Sequence, residues 1–111
     1  MVKKYKVPLH IKNYVKKELY DYTKNKRLIK DLQKHNTSIS TKTLLITTKR
    51  IDRIDAVLKN LNPEDKEIVN IIFFEQCSQA KAEAIYYISK DAYYNAMNKV
   101  IYLTAIELEL I

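Results

Sequence analysis

The chain contains no glycine in its 111 residues. Gly-rich phosphate loops, dinucleotide-binding turns and strained nucleophile elbows all need a residue without a Cβ, so none can be built here. Tight type I′ hairpins are disfavoured for the same reason. Only two prolines interrupt the chain, and Lys, Leu, Ile, Ala, Glu and Tyr dominate it. These features together predict an all-α protein of about five helices.

A chain of this length can bury one core. Cys77 is the only cysteine, which excludes an internal disulfide and leaves a cysteine zinc site without ligands. No run is long and apolar enough for a membrane span or a secretory signal, so a cytoplasmic protein without membrane contact is expected. His10 and His35 have no spaced Cys, His or carboxylate partners, and no metal, cofactor or catalytic residue is expected. Enzyme readings are therefore weak.

Charge is unevenly placed. Residues 1–36 hold eleven Lys/Arg against three Asp/Glu, residues 37–62 five against two, and residues 63–111 four against eight. The net charge of +7 is thus concentrated in the first half. A basic excess of this kind suits a polyanion such as double-stranded DNA.

Apolar residues at Ile11, Val15, Leu19, Tyr22, Ile29 and Leu32 predict a leading basic helix over 9–34, with a drift in phase near 24–27. The polar stretch 35–43 reads as a connection. Ile51, Ile54, Leu58 and Leu61 give a second helix its apolar stripe. Asn62 as N-cap, Pro63 at the first helical position and Glu64 and Asp65 in the first turn mark a third start, reaching about residue 75. Ser78 and Ser89 are further caps, for a short helix over 79–86 and a last helix running to about 109. The expected architecture is a basic N-terminal helix pair, residues 1–61, followed by a three-helix unit, residues 62–111. The apolar end, Ile101, Leu103, Ile106, Leu108, Leu110 and Ile111, either packs back on the N-terminal helices or makes a homodimer contact.

The short helix, the connection around Ile88-Ser89-Lys90-Asp91 and the last helix have the layout of a helix-turn-helix, whose second helix fits the DNA major groove. Ala82, Ile85, Ile88, Tyr93, Ala96 and Val100 supply the packed side. Ser89, Lys90, Asp91, Tyr94, Asn95 and Asn98 are the outward candidates. Ser89 and the first backbone N–H groups can bind a phosphate, Lys90 a phosphate or a guanine, and Asn95 and Asn98 an adenine. Tyr94 can reach a phosphate or a thymine methyl. Residues 77–104 carry three Lys (Lys81, Lys90 and Lys99) against two acids. A reading unit so weakly charged needs either further phosphate contacts, for which Lys12, Lys16, Lys17, Arg50 and Arg53 are the candidates, or a dimer that doubles the footprint.

Three segments in order resemble the small phage transcription regulators of the ArpU and RinA type, themselves similar to region 4 of bacterial sigma factors. IKNYVKKELYDYTKNKRLIKDL is similar to that family's leading helix. ITTKRIDRIDAVLKNLNPEDKEIVNIIFFEQ resembles its arginine-rich helix, L-x-P-E-(D/E)-(K/R) start and aromatic pair. ISKDAYYNAMNKVI resembles its turn and recognition-helix motif through Ile88, Ser89, Ala92, Tyr93, Tyr94, Lys99 and Ile101. The resemblance spans nearly the whole chain. It implies a DNA-binding activator of late phage genes acting with host RNA polymerase, in the bacterial cytoplasm. The alternative is a helical interaction module or homodimerising scaffold that does not read DNA.

Overall fold

The computed structural model describes residues 5–35 and 41–111, without the side chains of 32–35 and 41–44. The basic lead-in before residue 5, most of the expected connection over 35–43 and the side chains of Leu32, Lys34 and His35 lie outside the described residues. All described secondary structure is helical: α1 Leu9–Tyr20, α2 Tyr22–His35, α3 Thr41–Asn60, α4 Pro63–Val69, α5 Gln79–Tyr86 and α6 Lys90–Glu107, with a π-helical turn Asn70–Phe74 prolonging α4.

Six helices stand where about five are expected, because the leading helix is divided at Asp21. The Asp21 N–H still donates to the Lys17 carbonyl at 2.9 Å, and its own carbonyl receives Asn25 N–H at 2.8 Å. The backbone hydrogen bonds thus continue across the break. Tyr20 and Tyr22 stand on either side of it, and their rings meet Phe73 at 4.9 Å and Phe74 at 5.3 Å in the π-turn.

The π-turn has a comparable origin. Ile71, Ile72 and Phe73 are all buried in succession, and Phe74 packs against the same core. Four consecutive apolar residues span too wide an arc for one face of a regular α-helix. The ladder widens instead, with Glu75 N–H reaching back to the Asn70 carbonyl at 2.9 Å.

Helix starts follow capping chemistry. Asn62 Oδ1 accepts from Asp65 N–H at 2.8 Å, Ser78 Oγ from Lys81 N–H at 3.2 Å and Ser89 Oγ from Ala92 N–H at 3.1 Å. The Asn62 amide also donates to the Asp65 carboxylate, tightening the first turn of α4.

One core joins both halves of the chain. Val15 and Leu19 of α1, Ile51, Ile54 and Val57 of α3, Ile68, Val69, Ile71, Ile72 and Phe73, and Tyr93, Ala96, Val100, Ile101 and Ala105 of α6 are buried together. α6 is the central rod, packed against α1, α3, α4 and α5. The apolar C-terminal end divides. Leu103 and Leu110 lie against the core, while Ile106 and Ile111 stay exposed.

Candidate nucleic-acid interface

The segment joining α5 to α6 is three residues long, and each has a separate task. Tyr87 takes the left-handed conformation at φ 58° and ψ 32°, which reverses the chain. Ile88 N–H then donates to the Ala82 carbonyl at 3.4 Å, and its side chain packs on the core. Ser89 caps α6. This corrects one expectation. Ile85 is 53% exposed rather than packed, because the reversal at Tyr87 puts Ile88 in the place beside Ala82.

The anchored side of α6 is made by Tyr93, Ala96, Met97 and Val100, all buried. The buried Tyr93 hydroxyl donates to the Cys77 carbonyl at 2.7 Å, tying the start of α6 to the residue before the Ser78 cap. Burial pushes the Tyr93 phenol above its ordinary value, with nearby Tyr20, Tyr94 and Cys77 acting in the same direction. Cys77 is itself buried and free.

Asp91, Tyr94 and Asn95 are exposed on the side away from that anchor, and Ser89 and Lys90 are exposed where α6 begins. They occupy the cap and first two turns, the part of a recognition helix that meets base edges. Tyr94 is steadied by an edge contact to the Tyr93 ring at 5.1 Å. Asn98, one turn further, is half-buried and shares a recess of about 190 Å³ with Tyr5, Lys6, Val7 and Lys12. Lys12, near the start of α1, therefore lies beside Asn98 of α6.

The remaining basic candidates are dispersed. Lys99 is half-buried, with its ammonium 2.8 Å from the Asp65 carboxylate. That hydrogen bond raises the Lys99 pKa, against a smaller opposing effect of burial. Lys16 is half-buried and Lys17 exposed on α1. Arg50 donates to Glu18 at 3.1 Å and lies 6.0 Å from the centre of the Tyr14 ring. Arg53 donates to the Glu107 carbonyl at 2.8 Å, at the last turn of α6. A cation there complements the negative end of the helix dipole. It also lies a whole helix away from Lys90, about 25 Å by helix rise.

No family model, curated protein or solved structure matches the chain. The functional reading therefore rests on this surface and on the motifs in the sequence. No helix among the described residues is long and apolar enough to cross a membrane. Nor does any group of three or more His, Cys, Asp or Glu side chains among them have the arrangement to hold a metal ion.

Two features of the region have no signal in the sequence. One is Tyr86, whose hydroxyl donates to Glu75 at 2.6 Å. That bond raises its pKa, with smaller contributions from burial and from the nearby charges of Glu75 and Cys77. The other is a groove of about 340 Å³ beside the turn, between α4 and residues 86–92.

Proposed function

We propose that the chain is a DNA-binding transcription regulator whose last helix, α6, enters the major groove by its N-terminal half. The observation that carries this reading is the set Ser89, Lys90, Asp91, Tyr94 and Asn95, exposed over the cap and first two turns of a helix that Tyr93, Ala96 and Met97 fix in the core. A major groove about 12 Å wide admits one helix, and such a set can address its base edges. Asn95 is the candidate adenine reader and Asn98 a second one at the margin. Ser89 and Lys90 engage phosphate at the helix start. Lys12, beside Asn98, is the best placed of the supporting cations, and Lys16 and Lys17 follow it along α1. Lys99, Arg50 and Arg53 contribute first to the fold, through Asp65, Glu18 and the Glu107 carbonyl. The resemblance to the ArpU and RinA regulators extends the proposal to a sigma-like activator of late phage genes that contacts host RNA polymerase.

Selection from a library of short duplexes, with and without polymerase core and at two salt concentrations, tests this reading. A motif selected by the protein alone supports an independent regulator. A motif selected only with polymerase supports the sigma-like role. Loss of selection in every arm overturns DNA reading. With a motif in hand, Asn95→Ala is expected to reduce preference for one base position by about tenfold to a hundredfold, while non-specific binding changes little.

The second reading, an interaction module, is favoured by one observation. The surface flanking the turn bears Glu64, Glu67, Glu83 and the exposed Tyr87, a combination ill-suited to phosphates. Salt-insensitive binding to DNA, or none, would favour it.

A further inference from the structure

We propose that the groove beside the turn binds the exposed face of α2 from a second copy of the chain. This inference goes beyond DNA reading and does not depend on it. Ile68 and Ile88 give the groove an apolar floor, Tyr86 and Tyr87 form one wall, and Glu64 and Glu67 stand on the α4 side. Tyr87 is 91% exposed, and the Tyr86 hydroxyl is fixed on Glu75. An apolar trough with two carboxylates on its edge and two aromatic rings opposite calls for a segment that pairs cations with an apolar side chain.

The chain carries such a segment. Lys24, Arg27 and Leu28 share one face of α2, and all are exposed, Leu28 by 49%. Lys24 and Arg27 are three residues apart on a helix, as are Glu64 and Glu67 on α4. The two charged pairs therefore have the same pitch, and Leu28 stands beside the cations to cover the apolar floor. α2 packs on α1 and α3, and none of its described side chains lines the groove, so the partner face comes from another molecule. The asymmetry of charge along the chain, eleven Lys/Arg against three acids in residues 1–36 and four against eight in 63–111, favours the same head-to-tail approach. Each copy offers one groove and one α2 face, so the contact is heterologous and propagates into short chains.

Sedimentation velocity of the full chain over a concentration series tests the contact at about 0.01 M and about 1 M salt, where the Debye length falls from about 30 Å to about 3 Å. Reversible, concentration-dependent association at low salt and a monomer at high salt are expected. The double substitutions Glu64→Lys with Glu67→Lys, and Lys24→Glu with Arg27→Glu, should each weaken association by about tenfold or more. All four positions are exposed, and circular dichroism checks that the variants fold. Mixing the two variants should restore association, because the unchanged groove of one meets the unchanged α2 face of the other and the two altered faces carry opposite charge, a result that general loss of structure would not produce. A monomer under all conditions overturns the proposal. So does association that survives both reversals, or that Ile106→Glu with Ile111→Glu abolishes instead, since it then uses the C-terminal tail. Binding of a Lys/Arg-rich peptide to the groove without self-association also overturns it and assigns the groove to a foreign partner.

Discussion

At the scale of single residues, the absence of glycine returns at the helix ends. Gln76, Tyr87 and Glu109 all take positive φ, near 54°, 58° and 60°. In each case the next residue donates back into the helix just ended, to Ile71, Ala82 and Ala105. These are positions that glycine usually fills, and a Cβ there costs about 1–2 kcal/mol. Gln76→Gly relieves that cost and adds some unfolded-state entropy, so a net gain of up to about 1 kcal/mol is expected in thermal unfolding. Tyr93 makes a different prediction. Its folded-state pKa is raised above the ordinary tyrosine value of about 10, so the native state keeps a proton that the unfolded chain has released. The stability this contributes is complete below about pH 10 and is lost as pH rises through the folded value. In Tyr93→Phe, denaturant titrations across pH 9 to 12 (a range of about three units) should show a shallower alkaline loss. At neutral pH the variant should be less stable by about 1 kcal/mol, because the hydrogen bond to Cys77 is gone.

At the scale of elements, starts are more legible than bends. Asn62, Ser78 and Ser89 are short polar side chains ahead of helical patterns, and each does accept the N–H three residues on. The stripe Ile51, Ile54, Leu58 and Leu61 is equally legible, with three of the four buried and Leu58 partly buried against the same core. The break at Asp21 and the π-turn have no local code: one leaves its hydrogen bonds almost intact, and the other answers a crowded core. The exposure of Ile85 depends on the backbone of Tyr87, which sequence periodicity does not contain. Charged residues were the least legible, because a lysine or arginine reads the same whether it faces solvent or a carboxylate. Lys12 and Arg53 separate the two cases by experiment. Lys12→Ala should lower the salt dependence of DNA binding by about one phosphate contact. Arg53→Ala should leave that slope unchanged and lower stability by about 0.5–1.5 kcal/mol, because α6 loses the cation on its final carbonyls.

At the scale of the whole molecule, the charge boundary near residue 62 does not coincide with a boundary in the core. Leu19, Ile54, Phe73 and Val100 are each almost wholly buried, and they come from both sides of it. A fragment of residues 62–111 would expose the faces of α6 that α1 and α3 now cover. Expressed alone, it is expected to lack a cooperative thermal transition and well-dispersed amide resonances, whereas the full chain shows both. α6 itself runs unbroken for 18 residues, with the exposed polar residues at one end and Arg53 gripping the other. Mechanically it is a lever about 27 Å long. On the proposed DNA reading, a tilt of α6 by only about 5° would shift its first residues by about 2 Å, close to the tolerance of a hydrogen bond to a base edge. The packing of α1, α3, α4 and α5 along α6 is thus what holds its polar end in place.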